Sequence, residues 1–242
     1  MSFRFPTITV AAVLALLLAP GTAVPSDNTE ETSLPIVSKY VDATHAQQEA
    51  MRGAEMEVDI DAKIPRLEKR GRLLALRKIS RLGVITYKAL GFFGDNTVKQ
   101  EVITRYLAAE SEGRENGTIA ISPANYKFKL KSDLDVNGRH VVVLQITPRK
   151  KKVGLFKGEL WVDAETGMPV RESGQFVKSP SVFLKKIAFV RDYELQDGVS
   201  IPAHIESMVD TRIVGRAELE ISFSKFTRPA GDDDVALAPA NP

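Results

Sequence analysis

In the stretch "KGELWVDAETGMPVRESG", residues 157 to 174, two of the four acids, Asp163 and Glu165, fall with a Thr-Gly between short apolar runs, one of which carries a Trp. Carboxylates spaced like Asp163 and Glu165 are the groups that exchange protons in general acid–base catalysis, so the first question is whether this is an active site. The runs on either side alternate with period two. Asp163 to Gly167 therefore reads as a hairpin loop whose Gly accepts a positive φ, and acids in such a loop are solvated. The other reactive residue types are sparse. His45, His140 and His204 show no metal-ligand spacing such as His-x-x-x-His, and there is no Cys in the chain to serve as nucleophile or thiolate ligand. A Gly-x-Ser-x-Gly elbow and a phosphate-cradling Gly-rich loop are both missing, and "VDTR" at 209 to 212 departs from the Asp-Thr/Ser-Gly pattern of aspartic proteases. The residues point away from an enzyme, with a hydrolase as a remote alternative, and no cofactor is indicated. Asn116-Gly117-Thr118 matches a glycosylation sequon.

The sharpest charge feature is "TPRKKKVGLFKG". Arg149, Lys150, Lys151 and Lys152 follow Pro148 directly after an apolar strand, as a solvated loop would. Four adjacent cations beside Leu155-Phe156 also suit anionic lipid headgroups or an acidic partner, so the loop is a candidate for membrane or partner docking. Over the whole chain the 33 basic and 31 acidic residues leave a formal charge of +2, without the strong basic excess of a nucleic-acid binder.

The elements that must position these residues begin after an export segment. Met1 to Pro6 carries one Arg, Ile8 to Ala19 is almost wholly apolar, and Gly21-Thr22-Ala23 offers small residues for a signal peptidase. The expectation is a signal peptide over 1–23 cleaved after Ala23, hence a periplasmic protein; the apolar core is shorter than the about 20 residues a spanning helix needs. A linker over 24–33 follows, then one domain over 34–227, then a flexible acidic and Pro-rich tail over 228–242. With 242 residues and 43% hydrophobic content, the chain can bury a sizeable core.

Leu34 to Ala50 places Val37, Tyr40, Val41 and Thr44 near one face of a helix that stops at Arg52-Gly53. "EMEVDIDAKI" then alternates strictly, apolar against acidic, and the basic strands that follow are expected to set opposite charges beside it on the outer surface. In "GDNTVKQEVITRYLAAESEG", Asp95 or Asn96 can cap a second helix with a stripe of Val98, Val102, Ile103, Tyr106 and Leu107. From Thr118 onward seven further strands are expected, the last being "AELEISFSKF". Many antiparallel strands with one apolar face must curl to hide it, and two helices are available as cover. The fold class is α+β, mostly β: a strongly curved antiparallel sheet, an unclosed β-barrel, covered by a few helices.

The leading helix, the meander containing "GELWVDAETGMPVRESG", the strand pair in "IAFVRDYELQDGVSIPAHIE" and the closing "AELEISFSKF" together resemble the lipoprotein-carrier family of LolA, LolB and RseB-like periplasmic proteins, over roughly Leu34 to Thr227. The shared features are Trp161-Val162-Asp163, Thr166-Gly167, Pro169, Arg171, Tyr193, Gly198 and Pro202. The resemblance implies an unclosed barrel whose apolar interior holds acyl chains and a role in outer-membrane lipoprotein sorting or, on the same scaffold, in envelope stress sensing. The lipidated branch needs an N-terminal Cys and is excluded. Candidate lining residues for an acyl cavity are Met56, Val58, Ile60, Val142, Leu144, Ile146, Leu160, Val162, Phe183, Ile187, Phe189, Leu219 and Ile221, all on apolar strand faces. Alternation alone leaves open whether these faces enclose a cavity or a filled core. Phe92-Phe93, between two glycines, reads either as a hydrophobic loop tip or as a plug at the core's edge.

Overall fold

The computed structural model describes residues 34–228 except 115–118, 180–183, 197 and 213–214, and of residues 109 and 111–114 it describes the backbone. The expected signal segment and linker, the sequon at Asn116 and the lining candidate Phe183 lie outside the described residues, as does the tail beyond Arg228.

Helix α1 (Pro35–Ala50) opens on a proline, which has no amide to leave unpaired in the first turn. It leads into a hairpin of β1 (Glu55–Ile64) and β2 (Lys69–Ile79), then β3 (Ile85–Gly94). A helical run follows: α2 (Asn96–Val98), a π-helical turn at Lys99–Thr104, and α3 (Arg105–Arg114). Asp95 caps it, its carboxylate accepting the Thr97 amide at 2.7 Å. Seven further strands follow among the described residues: β4 (Tyr126–Val136), β5 (Arg139–Pro148), β6 (Phe156–Asp163), β7 (Pro169–Phe176), β8 (Leu184–Gln196), β9 (Val199–Thr211) and β10 (Arg216–Thr227).

The ten strands form one antiparallel sheet in the order β3-β2-β1-β10-β9-β8-β7-β6-β5-β4. Every pairing but one joins neighbours in sequence. The exception, β1 with β10, sets Ile60 opposite Ile221 and Ala62 opposite Leu219, so the strands on either side of it share one apolar face. Strands β3 and β4 are the two ends of the order and do not pair with each other, which leaves the barrel unclosed. The helical run links those two ends, and with α1 it covers the inner face. The architecture is mostly β, as the alternation and the turn signals predict.

The inner face carries two cores. Met56, Val58, Ile60 and Ile64 of β1, Leu73 and Ala75 of β2, and Leu219 and Ile221 of β10 pack with Val98, Val102 and Ile103 of the helical run. Tyr126 and Phe128 of β4, Val142, Leu144 and Ile146 of β5, Leu160 and Val162 of β6 and Phe189 of β8 pack with Val37 and Tyr40 of α1. The first core is mainly aliphatic. The second is aromatic, with the Phe156 ring edge-on to Phe189 at 4.9 Å and to Tyr126 at 6.0 Å. On the outer face the expected charge ladder forms: Lys78 reaches Glu55 at 2.6 Å, Arg70 reaches Asp61 at 3.2 Å, Arg72 binds Asp59, and Lys225 reaches Glu57 at 2.9 Å.

Candidate functional site

The two acids of the loop differ: Glu165 is solvated, as expected, whereas the Asp163 carboxylate is buried because the turn itself engages it. Asp163 Oδ1 accepts the amides of Glu165 at 3.0 Å and Thr166 at 2.8 Å and the Thr166 hydroxyl at 2.9 Å. These bonds make an Asx turn, with Gly167 following at φ +76°. A Cβ on Gly167 would sit 2.8 Å from the Lys39 carbonyl oxygen, and the Lys39 ammonium donates to the Ala164 carbonyl at 2.8 Å. The hairpin is therefore the seat of α1. Trp161 lies on the outer face, donating to Glu159 at 3.2 Å with Arg171 over its ring. Among the described residues no group of three or more His, Cys, Asp or Glu side chains is placed to hold a metal ion. His140 pairs with Asp133 on the surface and His204 lies 3.5 Å from Glu206.

The candidate lining residues separate between the two cores. Met56, Val58, Ile60, Leu219 and Ile221 belong to the first, and Val142, Leu144, Ile146, Leu160, Val162 and Phe189 to the second. Ile187 is half-buried. Met56 also lines a cleft of about 250 Å³ with Ile201, Pro202 and Phe226. The helical cover rests on few side chains: α1 buries Val37 and Tyr40, and the run from Asn96 to Thr104 buries Val98, Val102 and Ile103.

Between the cores, under both helices, lies a seam of charged and hydroxyl groups. Arg77, 1% exposed, occupies an inward position of β2 opposite Met56; it approaches Glu110 of α3 at 3.6 Å and donates to the Tyr87 hydroxyl at 3.2 Å. Tyr87 in turn donates to Glu110 at 2.6 Å. Arg191 of β8 reaches Glu172 of β7 at 3.3 Å and Tyr193 at 3.4 Å. Two buried atoms of the seam, Arg191 Nε and the Tyr106 hydroxyl, have no hydrogen-bond partner among the described residues. Burial pushes the hydroxyls of Tyr40 and Tyr106 well up, with Glu172 acting on the first and Glu110 on the second in the same direction. Tyr87 is raised by burial and by Glu110. For Arg191 burial works against the charge, but the neighbouring Tyr193 and Glu172 outweigh it and hold the guanidinium firmly protonated. At 3.2–3.6 Å, these contacts of Arg77 and Arg191 are long for charge-assisted bonds. Sequence reading missed the seam, yet it left a signal. Arg77 follows Leu73 and Ala75 at the inward spacing, and Arg191 follows Ile187 and Phe189, so both break an apolar alternation.

The basic loop lies where β5 turns into β6. Arg149, Lys150, Lys151 and Lys152 are exposed, and Arg149 Nε donates to the Pro123 carbonyl at 2.8 Å. Leu155 and Phe156 beside them are buried in the aromatic core. Phe92 packs against the aliphatic core with the Lys99 ammonium 4.8 Å from its ring centre, whereas Phe93 is exposed.

A family model described as "Uncharacterized protein" matches residues 119–235. No curated protein matches this chain. Among solved structures, the chain is similar to a DUF1329 family protein from Desulfovibrio piger, at 16% identity and a TM-score of 0.41 over 85% of this chain and 98% of that one. It is also similar to a LolA superfamily protein from Nitrosomonas europaea, at 14% identity and a TM-score of 0.38 over 82% and 96%. A third likeness is to the complex of MucA and MucB from Pseudomonas aeruginosa, at 12% identity and a TM-score of 0.26 over 79% and 99%. No described helix is long and apolar enough to cross a membrane.

Proposed function

We propose that this chain is a periplasmic carrier that takes acyl chains of lipids or lipoproteins into the interior of its unclosed sheet, as in outer-membrane lipoprotein sorting. The observation that carries the reading is the cover. Two apolar cores face inward, and the helices above them are anchored by a handful of apolar side chains and a few polar contacts, among them Gln47 with Ser200 and Glu110 with Tyr87. Lifting either helix exposes a ready apolar face, and each CH₂ of a chain buried there stabilises the complex by about 0.8 kcal/mol. Release needs the reverse, so a cover held by so few side chains suits a protein that must give up its cargo. In this state the helices occupy the place the acyl chain takes.

Uptake of a fluorescent fatty acid tests this when the cover is pinned. Gln47 of α1 exchanges two hydrogen bonds with the backbone of Ser200 in β9, at 2.8 and 3.0 Å. In a chain without cysteine, Gln47→Cys with Ser200→Cys offers a single reversible lock. The reduced protein is expected to bind the probe and the oxidised protein to exclude it; equal uptake by both would show that the cover does not gate the interior.

A second reading, a protein-binding envelope regulator on the same scaffold, is favoured by the sheet's two edges. Leu90 and Phe93 of β3, and Leu130, Leu134 and Val136 of β4, are exposed on strands whose outer backbone groups have no neighbouring strand. Such an edge accepts an added strand from a partner. A protein that takes up no acyl probe but captures an extended peptide would support it.

A further inference from the structure

We infer that the outer face of β4, β5 and β6 is an electrostatic docking surface for an anionic lipid bilayer, of which the loop at 149–152 is only the rim. The inference stands apart from the carrier reading, because it concerns the opposite face of the sheet. In β4 the buried residues Tyr126 and Phe128 point inward, which turns Lys127 and Lys129 outward. Pairing sets Lys127 opposite Thr147 of β5, next to the loop, and Lys157 opposite Gln175 of β7. Lys151 and Lys157 share the wall of a cleft of about 460 Å³ with Gln145, Glu159 and Phe176. Lys129, Lys150, Lys151, Lys152 and Lys157 thus lie exposed at one end of this face. The acid among them, Glu159, is engaged by Lys131 and by the Trp161 indole, and the Lys131 ammonium holds its carboxyl below the usual range. The whole chain is nearly balanced in charge, so among the described residues this is a local excess.

A bilayer fits this surface better than an acidic protein does. The cations are almost all lysines, flexible point charges suited to a diffuse anionic plane, and Arg149, the one residue with the planar fork of specific carboxylate recognition, is turned onto a backbone carbonyl. Leu155 and Phe156 are buried, so the contact is adsorption by charge without deep insertion, and Val153 is the exposed apolar residue of the loop.

Co-sedimentation of the whole chain with phosphatidylcholine vesicles, with and without phosphatidylglycerol, tests the inference. Binding is expected to the anionic vesicles alone and to disappear at high salt. Lys150→Gln with Lys151→Gln is expected to weaken it roughly thirtyfold, since each basic residue near an anionic surface contributes about 1 kcal/mol. Arg81→Gln with Lys88→Gln removes the same charge from the β2–β3 end and is expected to leave it unchanged. Equal binding to neutral vesicles, no binding to either, or equal losses in both variants would overturn the proposal; the second of these would turn attention to an acidic protein partner. Fatty-acid uptake by the same samples reads the carrier proposal separately.

Discussion

The two halves of the sheet solve the problem of an outer face differently. Around β1 and β2, acids alternate with inward apolar residues and each is met by a cation from a neighbouring strand, as in Asp61 with Arg70 and Glu57 with Lys225. Around β4 to β6, lysines outnumber the acids near them, and Glu159 is already held by Lys131. The inner faces differ as well: aliphatic side chains under the helical run, interlocked rings under α1. A balanced outer face is accounted for by the fold itself. The unbalanced one is where a partner of opposite charge is to be sought.

The comparison breaks most visibly in the cores. Phe156→Ala removes the ring that touches Tyr126, Phe176 and Phe189 and is expected to cost about 3–5 kcal/mol in chemical denaturation. Ile60→Val in the other core is expected to cost about 0.5–1.5 kcal/mol. Equal losses for Phe156→Ala and Ile60→Val would mean that the aromatic cluster is not the firmer anchor.

The seam between the halves comes next in size. Glu172→Gln leaves the Arg191 guanidinium short of its counter-charge and is expected to destabilise the fold by about 1–3 kcal/mol, whereas the double variant with Arg191→Leu recovers much of that loss. A double-mutant cycle with no coupling would place Arg191 and Glu172 in separate roles.

Alkaline pH probes the same region. Tyr40, Tyr87, Tyr106 and Tyr126 all hold their protons more tightly in the fold than in the unfolded chain, chiefly through burial, and Tyr126 is pushed up to about 12. A raised folded value means that the contribution is complete below pH 10 and is lost as pH climbs from there toward the folded value. Absorbance titration is therefore expected to show these four hydroxyls ionising together with unfolding, above pH 10; independent titration near pH 10 would show an open seam.

The smallest effect belongs to the charge ladder. Asp59→Asn breaks the contact with Arg72 on an exposed surface, and its consequence is expected to fade as salt is added. A loss that persists at high salt would show that the ladder does more than neutralise charge.

Much of this fold was legible in the chain. Period-two alternation places the strands because one face of each is buried, and Thr166-Gly167 marks a turn through backbone chemistry that is local. The pairing of β1 with β10 was not legible, since strands so far apart in sequence leave no local sign of their register. The division of the apolar face into two cores was hidden for the same reason: Val58 and Val142 look alike in a pattern. Arg77 and Arg191 were visible as breaks in alternation, but their meaning depends on Glu110 and Glu172, brought in from other elements. Phe92 and Phe93 divided between core and solvent, as neighbours on one strand do.

Native mass spectrometry of the protein, purified gently from its native source and then denatured for lipid identification, tests the carrier proposal most directly. An acylated species bound at close to one per chain is the expected result. A ligand-free mass, together with no uptake of a fluorescent fatty acid, would contradict it and leave the sheet edges as the functional surface.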